Sequence, residues 1–275
     1  MTGMITAIKR NAIHDGDGLR TTVFFKGCPL KCLWCHNPEG ISRQVQVAKY
    51  DHLCMGCGRC QGKRTPEAAE GCPTGALVRY GTEQTVEALL PVLLQDKPFY
   101  DNSGGGVTLS GGECLMQPEF AAALAKALTK EGVRVNIDTC GFVSRNALDA
   151  VIPYADTFLY DLKAVDPAVH KRCTGQDNGI ILENLQYLSA QGCRIEIRYP
   201  LVVGYNDAEC AKIGEFLQDM SGITKVKVLQ YHDFSASRYE ALGMENTMPQ
   251  TVTTEEDVAR AVQTLKDFGL PATKD

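Results

Sequence analysis

The chain has 275 residues and a mass of 30.0 kDa, a length typical of one large domain or of one domain with a small insertion. Its 28 Lys and Arg residues against 33 Asp and Glu residues give a net charge of −5, which argues against a nucleic-acid-binding surface. No apolar run reaches the roughly 18 residues of a membrane span, and the N-terminal residues lack the apolar core of a secretory signal. We therefore expect a cytoplasmic protein that binds neither nucleic acid nor membranes. We also expect it to be a monomer.

Strand and helix patterns alternate along most of the chain. Stretches rich in β-branched and aromatic residues predict strands at residues 20–27, 106–110, 133–138, 156–161, 194–199 and 225–230. Amphipathic patterns predict helices at residues 86–94, 119–130, 181–190, 208–220 and 255–268. This alternation indicates an α/β fold with a parallel sheet, either open or curved towards a barrel. Residues 269–275 are expected to be a frayed tail.

The region 46–81 interrupts this alternation. It is rich in Cys, Gly and charged residues and poor in periodic apolar residues. We therefore predict two units: a main domain made of residues 1–45 and 82–275, and an inserted segment at residues 46–81.

Seven of the twelve cysteines lie between Cys28 and Cys72, a clustering that indicates metal or iron–sulfur ligation in a reducing compartment. The insert carries the pattern C-x2-C-x2-C-x11-C-P, made by Cys54, Cys57, Cys60 and Cys72. Such a run resembles ferredoxins and predicts a [4Fe–4S] cluster held by all four thiolates. Structural zinc is the alternative, although zinc sites usually pair two C-x2-C units.

The first cysteine group, Cys28, Cys32 and Cys35, has the spacing C-x3-C-x2-C and supplies only three thiolates. A four-iron cluster held in this way keeps one iron open to a substrate or cofactor, as catalytic zinc sites keep an open position. The alternative is a closed zinc site completed by His36, whose adjacency to Cys35 would strain simultaneous ligation.

The residues around this group resemble a known family. The matching run is Gly16-Asp17-Gly18-Leu19-Arg20, Phe24, Gly27-Cys28, Cys32 and Cys35-His36-Asn37. Further matches follow in the family's order: Ser110-Gly111-Gly112-Glu113, Asp138-Thr139, Asp161-Leu162-Lys163, Arg198 and Tyr231-His232. The chain resembles the radical S-adenosylmethionine (SAM) proteins, and more narrowly the activating enzymes of glycyl radical enzymes. The chain departs from the family pattern in two ways. Asp17 stands where the family commonly has Pro. The insert has four cysteines for a single cluster, whereas some members have no insert and others carry two clusters in theirs.

The resemblance implies a partial (β/α)6 barrel with a ferredoxin-like insertion and two [4Fe–4S] clusters. It implies reductive cleavage of SAM to a 5′-deoxyadenosyl radical, which abstracts hydrogen from a backbone glycine of a partner enzyme. Reduced flavodoxin or ferredoxin would supply the electron. Two alternatives stay open: a radical SAM enzyme that modifies a small molecule or peptide, and an iron–sulfur electron carrier.

The resemblance also assigns residues, none of them an acid or base catalyst. Contacts with SAM or its cluster are expected at Trp34, Cys35, His36, Gly111, Gly112, Glu113, Asp161, Leu162, Lys163, Arg198 and His232. A monovalent cation, Na⁺ or K⁺, is expected at Asp138, Thr139, Asp161 and the Leu159 carbonyl. Partner contacts are expected at Asp15, Gly16, Asp17, Gly18, Leu19 and Arg20. Within this set, Glu113 is expected to receive the amine of SAM.

The predicted strands give independent support for one shared site. The candidate residues follow or end successive strands, and the carboxyl ends of parallel strands lie on one face of a sheet or barrel. Arg198 lies inside an apolar strand and needs an anionic partner there. Glu196 is a possible partner, but we expect it to point to the opposite face.

Overall fold

The computed structural model describes residues 1–275 and contains the secondary structure expected of an α/β protein. The strands are β1 (Thr2–Ala12), β2 (Arg20–Phe25), β3 (Gln46–Lys49), β4 (Leu77–Tyr80), β5 (Thr82–Thr85), β6 (Gly106–Gly111), β7 (Arg134–Thr139), β8 (Thr157–Asp161), β9 (Ile195–Leu201), β10 (Ile223–Gln230) and β11 (Ala272–Lys274). The α-helices are α1 (Pro66–Glu70), α2 (Val86–Leu94), α3 (Lys97–Ser103), α4 (Pro118–Lys130), α5 (Arg145–Val151), α6 (Pro167–Thr174), α7 (Gly179–Ala190), α8 (Cys210–Leu217), α9 (Ala236–Leu242) and α10 (Glu255–Asp267).

Nine strands form the main sheet in the order β11-β10-β9-β8-β7-β6-β2-β1-β5. The six strands predicted from sequence pair in parallel, whereas β1 runs antiparallel to β2 and β5. The α/β class and the parallel sheet are thus confirmed. The expectation of a frayed C-terminus is wrong, because residues 272–274 form β11 and extend the sheet beside β10. Three residues are too few to show a strand pattern, and their pairing is tertiary.

The helices bury apolar faces against this sheet. In α4, Phe120, Leu124 and Leu128 recur every four residues and are almost completely buried. Each such side chain contributes about 1.5–3 kcal/mol of burial free energy. The resulting core includes β6 to β10 and fixes the strand ends that carry the candidate site.

The sheet is strongly curved. Lys225 lies on β10 and Asp17 precedes β2, and five strand spacings separate these strands in the sheet order. In a flat sheet that separation would be about 24 Å, at roughly 4.8 Å per strand. The Lys225 Nζ and Asp17 Oδ1 atoms nevertheless lie 2.9 Å apart. The sheet therefore bends round an interior, in agreement with a partial barrel.

The segment 46–81 has a small structure of its own. Strands β3 and β4 pair only with each other, with Gln46 opposite Tyr80, and α1 lies between them in the chain. The hydroxyls of Tyr50 and Tyr80 lie 2.9 Å apart and fasten the base of this segment. Its assignment as a separate unit stays a prediction. Among all the helices of the chain, none has the length and apolar character needed to cross a membrane.

Candidate active site

A cavity of about 210 Å³ opens at the carboxyl ends of the parallel strands. Many of the predicted residues line it: Cys28, Cys32, Trp34, Cys35, His36, Gly111, Gly112, Asp138, Thr139, Asp161, Lys163 and Arg198. Of the residues predicted to contact SAM, its cluster or the cation, four do not line it: Glu113, Leu159, Leu162 and His232. Most residues predicted from the sequence thus line one cavity, and the other four lie outside its wall.

The three thiols of the first cysteine group face this cavity together. Burial raises the pKa of the Cys32 thiol to about 12, so a cationic ligand is needed to hold it as a thiolate. No three His, Cys, Asp or Glu side chains of the chain are close enough to bind one metal ion. Zinc needs its ligands at about 2.3 Å from one centre, whereas the cysteines of a cluster bind separate irons. This donor set fits a cluster better than zinc.

The placement of His36 argues against the closed zinc site. Its Nε2 atom lies 3.0 Å from the backbone oxygen of His232, and the two imidazole rings stack at 4.3 Å. His232 stacks in turn on Phe234. His36 is thus engaged with the loop after β10. His232 supports His36 from outside the cavity wall.

Trp34 forms part of the apolar wall of the cavity. It is 5% exposed and packs in a small apolar cluster with Tyr231, Tyr239 and Met248. One edge of the indole therefore faces the cavity while the rest is anchored in the protein. This arrangement places an apolar ring beside the cysteine group.

Gly111 and Gly112 let two backbone segments meet. Gly111 has φ +117°, and a Cβ there would lie 2.2 Å from the Phe25 nitrogen. A Cβ on Gly112 would lie 2.4 Å from the carbonyl oxygens of Gly27 and Gly40. Both glycines are thus required to pack the end of β6 against the cysteine loop, in addition to lining the cavity.

Glu113 does not face the cavity. Its side chain is completely buried and accepts hydrogen bonds from Thr139 Oγ1 at 2.9 and 3.0 Å, Cys140 N at 2.7 Å and Leu115 N at 3.0 Å. Desolvation raises the pKa of this carboxyl group. These donors already occupy the Glu113 carboxylate, and its contact with the amine of SAM stays a prediction. Glu113 ties the loop after β6 to the end of β7.

A charged wall faces the cysteine group. Lys163 Nζ donates to Asp161 Oδ2 at 2.8 Å. Burial lowers the pKa of the Lys163 amine, but the Asp161 carboxylate together with the thiols of Cys32 and Cys140 raises this pKa by more. Arg198 lies among carboxylates at 3.6–4.0 Å, and its buried Nε and Nη1 atoms have no hydrogen-bond partner. Buried unpartnered donors beside a cavity fit an anionic group such as the carboxylate of SAM.

The partner of Arg198 is not Glu196. The two residues are two positions apart on β9 and therefore lie on the same side of the strand, so the expectation of opposite faces is wrong. Glu196 nevertheless pairs with Lys225 and Lys227, at 3.6 and 3.3 Å. Asp138 on β7 is the acidic residue nearest to Arg198.

The residues of the expected cation site are only partly gathered. Asp138, Thr139 and Asp161 line the cavity, and Leu159 pairs with Asp138 in the β7–β8 register. Arg198 lies 3.6 Å from Asp138 and 4.0 Å from Asp161, and so places a cation there already. Leu162 is completely buried and donates its backbone N–H to Arg198 O at 3.0 Å. It acts as support for β9.

The segment 15–20 enters the barrel interior and is only partly accessible. Arg20 is 2% exposed and donates to Thr108 Oγ1 at 2.7 Å and Val107 O at 2.9 Å. Gly16 and Gly18 have φ +113° and +74°, and Gly18 packs against the backbone of Gly105. Gly16 and Arg20 are buried in the unbound chain, and contact of residues 15–20 with a partner stays a prediction. Asp17 is the exposed residue of the six.

The four cysteines of the insert line a second, smaller pocket. Cys54, Cys57, Cys60 and Cys72 all face it, beside Pro73. None of these thiols is in a disulfide. The structure thus brings the four predicted ligands to one place near the surface.

Sequence reasoning did not identify part of this site. Pro200, Leu229 and Gln230 complete the cavity rim from the ends of β9 and β10, where strand-end position is the only available signal. Cys140, which directly follows Asp138 and Thr139 in the sequence, also lines the cavity, and its thiol lowers the pKa of the Cys28 thiol. Residues of α9 contact the cysteine loop from outside, and nothing in their sequence pattern indicates that contact.

Comparison with known proteins decides the family. Residues 22–217 match the family described as the radical SAM superfamily. The chain belongs to the radical SAM superfamily. Proteins of this superfamily use a [4Fe–4S] cluster and SAM, which agrees with the cavity described above.

Curated relatives show which radical SAM proteins this chain is similar to in sequence. It is 38% identical to the choline trimethylamine-lyase activating enzyme of Oleidesulfovibrio alaskensis, over 98% of this chain and 96% of that protein. It is 34% identical to the pyruvate formate-lyase 2-activating enzyme of Escherichia coli, over 97% of this chain and 90% of that protein. A domain of pyruvate-formate lyase-activating enzyme from Bacteroides vulgatus shares the fold, with TM-score 0.53 and 30% identity over 62% of this chain and 99% of that one. These relatives are activating enzymes.

Proposed function

We propose that this chain activates a glycyl radical enzyme. The cluster on Cys28, Cys32 and Cys35 would supply the electron that cleaves SAM to a 5′-deoxyadenosyl radical, which abstracts hydrogen from a backbone glycine of the partner. The observation that carries this proposal is the single cavity at the strand ends, where three thiols face Lys163 and the unpartnered Arg198. A cavity lined by both thiols and cationic side chains suits a ligand that binds iron and carries a carboxylate.

The residues of the chain would bind, orient and shield the reactants. Arg198 and Lys163 would hold the carboxylate and ribose side of SAM, and Trp34 would exclude water from the cluster. Gly111 and Gly112 would present backbone to its amino group, since the Glu113 carboxylate is turned away. Asp138 and Asp161 would bind a monovalent cation only if Arg198 moved away from them. Asp15 and Asp17 would contact the partner, with Gly16 and Arg20 holding their loop in shape.

We further propose that Cys54, Cys57, Cys60 and Cys72 hold a second [4Fe–4S] cluster. Its support is the gathering of all four cysteines at one exposed pocket in a segment joined directly to the first cysteine group. This cluster would pass electrons inward from reduced flavodoxin or ferredoxin. The enzyme would work as a monomer in the cytoplasm, the reducing compartment that such thiolate sites need.

The proposal is tested with the reconstituted protein, SAM and dithionite under anaerobic conditions. We expect 5′-deoxyadenosine and methionine, and a glycyl radical EPR signal when the partner glycyl radical enzyme is added. Deuterium transfer from a glycine-labelled partner into 5′-deoxyadenosine identifies the hydrogen donor. Deoxyadenosine without partner labelling would instead favour a small-molecule or peptide substrate, and no SAM-dependent chemistry would favour an electron carrier.

A further inference from the structure

Helix α9 contacts the loop that carries the third cysteine of the active group. Arg238 Nη1 donates to His36 O at 3.1 Å and to Asn37 Oδ1 at 3.1 Å, and pairs with Glu39 Oε1 at 3.0 Å. The next residue, Tyr239, donates its hydroxyl to Cys35 O at 3.0 Å. Two adjacent side chains of one helix thus hold the backbone immediately after the third thiol.

The charges in this contact make it costly to break. Glu39 is 6% exposed, and its Oε2 atom has no hydrogen-bond partner. Burial raises the pKa of Glu39, and Arg238 opposes that shift. Arg238 is partly exposed, and the buried Lys26 also favours the charged form of Glu39. Without Arg238, Glu39 therefore keeps one nearby cation, but the loop loses its three contacts with the Arg238 side chain.

The same helix also contacts the insert. Arg64, which lies between Cys60 and Cys72, donates to Ala241 O at 3.2 Å. Ala241 is three residues beyond Arg238, which is about 4.5 Å along a helix axis. A single helical turn of α9 therefore separates the contact with one cysteine group from the contact with the other.

From these contacts we propose that α9 is a positioning element for the active cluster, with Arg238 as its principal residue. This inference rests on the proposed function, because it takes Cys35 as a cluster ligand. Arg238 and Tyr239 fix the backbone of the residues that follow Cys35, and so fix the direction of its thiol and of His36 on the cavity wall. Groups that orient a metal ligand commonly change metal affinity or activity by about 10–100-fold.

The test uses the holoenzyme with four variants: Arg238→Ala, Arg238→Lys, Tyr239→Phe and, as the control, Arg260→Ala. Arg260 is an exposed arginine that pairs with Asp257 on its own helix. The measurements are the SAM dissociation constant, the change in the EPR spectrum of the reduced clusters on SAM addition, and the rate of iron loss to a chelator.

We expect Arg238→Ala to weaken SAM binding about tenfold and to change the SAM-dependent EPR spectrum. Arg238→Lys should recover part of the SAM affinity and of the SAM-dependent EPR change, because it keeps a cation near Glu39. Tyr239→Phe should change the affinity and the spectrum by less than Arg238→Ala does. Arg260→Ala should match the unaltered protein. Wild-type affinity and spectra in both Arg238→Ala and Tyr239→Phe would overturn the proposal. If Arg238→Ala does not fold, Tyr239→Phe and Arg238→Lys decide it in the same way. The absence of a SAM effect in the unaltered protein would instead contradict the proposed function itself.

Discussion

The Arg198 guanidinium lies 3.6 Å from the Asp138 carboxylate without completing a hydrogen bond to it. Ser110 Oγ donates to Asp138 Oδ2 at 2.5 Å, so that carboxyl group is held while the arginine stays free to bind. Desolvation raises the pKa of Asp138 to about 7, despite the opposing effect of Arg198. Near neutral pH the carboxyl group is therefore partly protonated, which reduces the negative charge that an anionic ligand would meet.

The first prediction follows from that pKa. Between the ordinary value of 3.8 and the folded value of about 7, native Asp138 keeps a proton that the unfolded chain has released. Native protein binds more protons, so the free energy of unfolding should fall as pH rises from about 4 to about 7 and level off above it. Asp138→Asn should remove this part of the pH dependence. Urea unfolding of the cluster-free protein at several pH values measures it, and an unchanged slope in the variant would contradict the assignment.

The second prediction concerns the charged wall. Lys163→Ala and Arg198→Ala should each weaken SAM binding at least about tenfold, because each removes a charge-assisted contact. His232→Ala should also weaken it but by less, since His232 only supports the His36 ring. All three should keep their iron, because none removes a thiolate. Isothermal titration measures the SAM affinity of each variant. If all three variants bound SAM as tightly as the unaltered protein, the ligand would lie elsewhere.

The third prediction concerns Glu113 as an internal support. Glu113→Gln places an amide N–H₂ against donors from Thr139, Cys140 and Leu115. At least one buried N–H then lacks an acceptor, which costs about 1–3 kcal/mol. Thermal unfolding should show a Tm lowered by several degrees. Glu215→Gln, at an exposed position on α8, is the matched control and should leave the Tm unchanged.

The fourth prediction is the metal content. Reconstituted protein should hold two [4Fe–4S] clusters, or about eight irons per chain. Replacing Cys28, Cys32 and Cys35 with Ala should leave about four irons in the insert and abolish SAM cleavage. Iron and zinc analysis of both proteins measures this. Zinc in the second site would contradict the ferredoxin-like assignment.

The fifth prediction distinguishes two roles of the insert: passing electrons to the active cluster, or forming a docking surface for the partner enzyme. Cys57→Ser with Cys60→Ser should lower deoxyadenosine formation with reduced flavodoxin but not with dithionite, because a small reductant reaches the active cluster directly. Loss of partner activation alone, with SAM cleavage intact under both reductants, would show that the insert is a docking surface.

Local pattern was enough to predict the strands that form the centre of the sheet. Strands such as β6 are continuous buried runs, and residues at their ends must meet on one face. Strands β1, β5 and β11 lie at or near the sheet margins, where short or half-exposed segments show little pattern. The orientation of Glu113 and the contacts of α9 depend on which loops pack together, and a single sequence does not show that.

The pairing of Gln46 with Tyr80 has a consequence for how such proteins diversify. The two ends of the insert meet across one antiparallel pair, so the insert joins the barrel through this closed neck. Apart from the Arg64–Ala241 contact with α9, the length of the chain between the two ends of the neck therefore matters little to the barrel. Lengthening a loop costs little, about 0.6 kcal/mol for each doubling. The neck is therefore a position at which evolution could replace the insert by another iron–sulfur segment or by a short turn. The residues of the barrel that bind SAM and the active cluster would not need to change.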